Sequence, residues 1–308
     1  MDDFSFGGAI GAGFRVIGRN PLAVLIWAAA YLLLVGLPTA AFMANIIPAM
    51  AAAAQQASTH VGRPDPAQFM AWRAGVFGWQ PGLWLLSVVT TTLLMGAMFR
   101  AVLQPEAGHW GYLRLGRQEL WLGLTYLVLL VMAFILMFVL FIPMAISIGV
   151  IAAIGQHGGS QAGGVTLLVI AGIVGFGAIL WVLLRLSLAL PMSFAKGRFL
   201  LYESWDLTRG HALKMFGVYL ALAIGLWLFE VACVVAFAAV FWGQVQDAAS
   251  WRAMQPSAAI DMFRRYLPTI IGAGVVGSVV LMAIHTIFMA PLAEIYRELT
   301  AGEPANAP

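Results

Sequence analysis

Charge is scarce in this 308-residue chain: 9% of positions are Asp, Glu, Lys or Arg, where soluble domains carry about 25%. So few charges cannot cover a surface that faces water on all sides, which excludes an ordinary soluble domain. Cysteine is nearly absent. Cys233 stands alone inside an apolar run, so no disulfide can close within the chain and the residue reads as small apolar filler. The five histidines, at 60, 109, 157, 211 and 285, have no i, i+4 pairing and no cysteine companions, so no metal site is expected. The strings G-x-x-x-x-G-K-[ST], H-E-x-x-H and G-x-S-x-G do not occur, and no serine has an evident base and orienting partner. The expectation is no cofactor, no metal and no catalytic activity. A nucleic-acid partner is not expected either, because no large basic face is visible.

What the chain has is apolar length. Its hydrophobic residues, 62% of the total, gather into six stretches: Leu22 to Ala44, Leu83 to Leu103, Leu120 to Ile142, Val165 to Leu190, Phe216 to Trp242 and Leu267 to Leu292. A bilayer core of roughly 30 Å is crossed by about 20 helical residues, and backbone left unpaired in lipid is prohibitive, so each stretch should be a helix. The fold class is an all-α integral membrane protein with six transmembrane helices, in one membrane domain spanning 1–308. No soluble catalytic domain is expected at either end. The start Met1-Asp2-Asp3 lacks a basic segment, and the first run exceeds the core of a signal peptide. The first span should therefore stay in place, although Ala40, Ala41 and Ala44 resemble a cleavage site.

Placing the amino terminus in the cytoplasm puts Arg15, Arg19, Arg100, Arg114, Arg117, Lys196, Arg198, Arg209, Lys214 and Arg297 on the inner side, with Arg185 close to it. The outer side then carries only Arg63, Arg73, Arg252, Arg264 and Arg265. The positive-inside bias thus predicts both termini in the cytoplasm, in the inner membrane of a bacterium.

A threefold repeat is suggested at the inner surface. Short segments precede the first, third and fifth spans, and their hinges run Phe14 to Leu22, Leu113 to Leu120 and Trp205 to Leu213, each with Gly and Arg close together. Gly18, Gly116 and Gly210 are placed to end helices in the left-handed conformation. Asn20 is placed to cap the next helix, and Pro21 suits its first turn. The predicted layout is an interfacial helix over 1–20, spans one and two over 22–103, an inner interfacial segment over 104–119, and spans three and four over 120–190. An inner interfacial helix over 191–212, spans five and six over 213–293 and a tail over 294–308 complete it. Phe6, Ile10, Phe14 and Ile17 would share the lipid-facing side of the first interfacial helix. Between spans one and two, Ala51 to Gln56 favours helix. After span three, the apolar residues beyond Pro143 read as an extension past a proline kink.

One stretch resembles a known family. Arg185-Leu186-Ser187-Leu188-Ala189-Leu190-Pro191, then Glu203-Ser204-Trp205-Asp206-Leu207-Thr208-Arg209-Gly210, then Lys214-Met215-Phe216-Gly217, is similar to the signature of the bacterial glycerophosphoryl diester phosphodiesterase membrane-domain family. The match covers about residues 181 to 217. Pro191, Glu203, Ser204, Trp205, Leu207, Thr208 and Gly210 are the positions that carry it. The resemblance implies an all-helical membrane domain of six helices, here without the phosphodiesterase domain, and it lends no active-site residue.

Polar residues within spans are costly in lipid and so are the best site candidates. They are Glu230 in span five, His285 in span six and Arg185 near the inner end of span four. One reading is a polar site in the bundle; the other is a protonated Glu, a His bonded to backbone, and an Arg anchored by Glu203 or Glu294. The cluster of Lys196, Arg198, Arg209 and Lys214, with Glu203, Asp206 and His211, would suit an anionic lipid headgroup. Alternatively it sets topology and pairs internally, as Asp206 with Arg209. Gly272 to Gly277 matches G-x-G-x-x-G literally, but in an apolar run it reads as a surface for close helix packing. Two functions stay open: binding or moving a lipid or other amphiphile with a polar headgroup, or a non-catalytic membrane scaffold that docks partners.

Overall fold

Apolar runs of this length can satisfy their backbone only as helices, and the computed structural model is helical throughout. It describes residues 4–44, 46, 66–156, 160, 162–246 and 256–301. Among these no strand occurs, and six helices are long and apolar enough to cross a membrane: Pro21–Ala44, Phe77–Leu103, Trp110–Gln156, Ala162–Lys196, Ala212–Ala236 and Ile271–Thr300. The chain is a multi-pass membrane protein.

The helices are α1 (Phe6–Arg19), α2 (Pro21–Tyr31), α3 (Pro66–Leu103), α4 (Arg117–Gln156), α5 (Ala162–Leu186), α6 (Ala189–Lys196), α7 (Tyr202–Leu207), α8 (Ala212–Gln246) and α9 (Pro256–Thr300). Pro21 occupies the first turn of α2 as its fixed φ favours. A π-helical turn, Leu32–Gly36, carries the first span onward. Helix α4 runs unbroken through Pro143, so the apolar extension after span three is part of the same helix. The predicted Ala51 to Gln56 helix, Arg63, His157, Trp251, Arg252 and the last seven residues lie outside the described residues.

The buried core gathers at one end of the bundle, here called the base. It joins Ala9, Ala12 and Val16 of α1 to Trp27 of α2, Phe99 of α3, Leu122 of α4, Phe194 of α6, Met215 of α8 and Met282 and Ile295 of α9. Away from the base, packing thins out. The far half of α5 meets its neighbour along one stripe only, and residues 227–236 of α8 are exposed on every face. Helix α4, at 40 residues, is about 60 Å long at 1.5 Å per residue, twice the hydrocarbon thickness.

Three expectations are corrected. The segment before the third span is not a helix: two 3-10 turns, Pro105–Ala107 and His109–Tyr112, occupy it, so the three units are not alike. Residues 294–300 are no tail, because α9 continues through them with Glu294 and Ile295 buried. Of the three hinge glycines only Gly210 is left-handed, with φ +85°; Gly197, φ +58°, ends α6 instead.

Helix α1 docks through its small residues. Ala9, Ala12, Gly13 and Val16 are buried, whereas Phe6 and Phe14 point outward. A methyl group on Gly13 would lie 2.4 Å from the Ile287 Cα, so only glycine lets α1 sit this close to α9. The small-residue face of Gly272, Gly274 and Gly277 behaves otherwise: nothing lies within 4 Å of where their side chains would start. The close packing expected there is absent among the described residues.

Candidate functional site

At the base, buried charge collects where helices begin and end. Arg100 closes α3 and Glu119 opens α4, each on the helix end whose dipole favours its sign. They form a buried ion pair, 3% and 4% exposed. Arg100 Nη1 also donates to the Tyr112 carbonyl at 2.6 Å, and its guanidinium lies 5.3 Å from the centre of the Phe194 ring. Tyr112 belongs to a left-handed turn with Trp110 and Gly111, at φ 63°, 54° and 64°. Left-handed backbone costs about 1–2 kcal/mol per non-glycine residue. Trp27 Nε1 holds the same turn by donating to the Gly111 carbonyl at 2.6 Å. Asn20 precedes α2 but makes no side-chain cap; its Oδ1 accepts instead from the Tyr112 hydroxyl at 3.3 Å.

A second network fastens the two ends of the chain. Glu294 accepts from Arg15 and Arg297, each at 2.7 Å. Glu298 accepts from the Ser5 backbone N–H at 2.5 Å, and Lys214 donates to the Phe4 carbonyl.

The third cluster is built by residues 185–210. Proline has no N–H, and its ring clashes with the carbonyl four residues earlier. Pro191 accordingly stands four residues after Ser187, where α5 stops and the chain turns before α6. Arg185, on the last turn of α5, then has a carbonyl beyond the helical ladder. The Ser204 hydroxyl donates to it at 2.9 Å, and the Thr208 hydroxyl, shared with the Ser204 carbonyl at 2.8 Å, reaches it at 3.1 Å, which fastens α7 beneath α5. Trp205, between them, lays its ring against the Arg185 guanidinium, 4.6 Å from the ring centre. Gly210 turns the chain into α8. Leu207 packs against the core, and Glu203 points outward.

Arg185 is 8% exposed and has no carboxylate partner among the described residues. Its guanidinium makes one long hydrogen bond among the described residues, from Nη1 to the Thr208 carbonyl at 3.4 Å, and the shielded Nε has no acceptor. The anchor reading expected Glu203 or Glu294 beside it, and neither pairs with it. Lys196, Arg198 and Arg209 are exposed and form no ion pair among the described residues, and Arg209 meets Asp206 through backbone only. Glu230 is exposed on α8, and His285 is half-buried on α9. No hydrogen bond or ion pair joins these two. No group of three or more His, Cys, Asp or Glu among the described residues is arranged to hold a metal.

The Arg100–Glu119 pair is the element that sequence reading missed. Its signal was present, as an arginine at one helix end and a glutamate at the next helix start, nineteen positions apart. No family model, curated protein or solved structure matches this chain.

Proposed function

We propose that this multi-pass membrane protein binds or moves a lipid or other amphiphile with a polar headgroup. The observation that carries the reading is the uneven packing. The base is closed and cross-linked by buried polar groups, whereas the far halves of α5 and α8 leave apolar faces open over most of their circumference. Acyl chains fit such open apolar faces, and a headgroup fits the polar base. The reading includes an inner-membrane location with both termini cytoplasmic, on the distribution of arginine and lysine, and a role without catalysis. Similarity of residues 181–217 to the phosphodiesterase membrane-domain family belongs to the same proposal. It is supported by the way Pro191, Ser204, Trp205, Thr208 and Gly210 act as one structural unit.

The second reading is a non-catalytic scaffold. The locally satisfied networks around Glu119 and Glu294 favour it at those positions. Native mass spectrometry of the chain released from mild detergent separates the two. Retention of about one lipid per chain supports amphiphile binding; bare protein under conditions that preserve the fold supports the scaffold.

A further inference from the structure

Three of the arginines at the base have carboxylates: Arg100 has Glu119, and Arg15 and Arg297 share Glu294. Arg185, nearly as buried as Arg100, has none among the described residues. Arginine does not discharge by losing a proton at any physiological pH, so its buried charge calls for an anion. The Trp205 ring covers one face of the guanidinium but supplies no acceptor for Nε. We infer that Arg185 holds an oxyanion of a phosphate group, on the planar edge that its Nε and Nη atoms present.

The position selects the chemistry. Arg185 lies on the last turn of α5, towards the base, and a guanidinium fork matches two phosphate oxygens. Tyr202 and Leu213, which flank Trp205 and Thr208 in sequence, are strongly exposed side chains suited to a headgroup layer. Exposed Lys196, Arg198 and Arg209 add attraction for an anion approaching the base. Trp205, 38% exposed, stacks on one face of the guanidinium, and Ser204 and Thr208 hold α7 in place beside it. With the phosphate at Arg185, acyl chains of an inner-leaflet lipid run along α5 and α8 towards their open halves.

The inference rests on the amphiphile reading for its ligand, and the test separates the two. Phosphatidylglycerol, diacylglycerol with the same chains, and inorganic phosphate are each titrated against the purified full chain in nonionic detergent, with the rise in melting temperature as readout. The expected result is half-saturation by phosphatidylglycerol at about a tenfold lower concentration than by diacylglycerol. Arg185→Gln should abolish that difference and Arg185→Lys keep part of it. Should Arg185→Gln fail to fold, the comparison of two lipids on the unaltered chain still decides. Equal binding of phosphatidylglycerol and diacylglycerol overturns the phosphate site and leaves the amphiphile reading standing. Stabilisation by inorganic phosphate alone, lost in Arg185→Gln, supports the site and assigns it to the free anion, overturning the amphiphile reading. No response to any of the three overturns both.

Discussion

Glu119, on the first turn of α4, is the counter-ion of Arg100, on the last turn of α3, and the pair is sealed beneath Phe194. Removing one partner leaves the other buried and unpaired, which costs about 3–5 kcal/mol. Arg100→Gln and Glu119→Gln should each lower the melting temperature in detergent strongly. The double change Arg100→Met with Glu119→Leu should recover much of the loss, because neither charge then remains. A double variant as unstable as the sum of the singles would contradict this account of the pair.

Gly13 is the contact point of α1 on α9. Gly13→Val pushes against backbone, where the cost of overpacking is about 1–3 kcal/mol, and α1 should detach at its centre. Limited proteolysis should then cut near residues 10–20 faster. Gly175→Ala is the control. Its methyl meets only the tip of the Leu140 side chain, which can turn aside, so cleavage and stability should hardly change.

The Ser204 and Thr208 hydroxyls both reach the Arg185 carbonyl, the second while also bonding the Ser204 carbonyl at 2.8 Å. Ser204→Ala or Thr208→Val alone leaves that carbonyl partly satisfied, so each should cost about 0.5–1.5 kcal/mol. Together they should cost more than the sum, which a double-mutant cycle of melting measurements reads directly. Strict additivity would mean that the two hydroxyls do not act on the same group.

Glu230 has no partner among the described residues and lies on an exposed stretch of α8. Glu230→Leu should therefore leave the melting temperature unchanged or raise it. A marked loss of stability would show that the carboxyl is used by something outside the chain.

Six spans were legible because apolar length is a local property, readable run by run, and the structure keeps all six. The first turn at Pro21 and the left-handed Gly210 were legible for the same reason. Pairings were not. Sequence placed Glu203 or Glu294 beside Arg185, yet Glu294 serves Arg15 and Arg297, which reach it only because α1 folds back onto α9. The segment before span three was placed but not its conformation: the clamps from Trp27 and Arg100 hold the chain there in a left-handed turn that no propensity favours. Small residues gave an ambiguous signal. Gly13 marks a close approach and Gly274 an open face, and only the position of a neighbouring helix separates the two. Of the candidate site, Arg185 was found from its charge inside a span, whereas its missing acceptor is visible only in three dimensions.

Whether an amphiphile occupies the apolar space above the base along α5 and α8 is read by photolabelling. The chain would be embedded in nanodiscs containing a trace of phosphatidylglycerol with a diazirine on its acyl chain, irradiated, and mapped by peptide mass spectrometry. The account predicts labels concentrated around Trp181, one turn from Arg185 on the same face of α5, and around Leu220 and Ile224 of α8, all reduced by excess unlabelled phosphatidylglycerol. Labels spread over all six spans in proportion to exposure, and indifferent to the competitor, would contradict it.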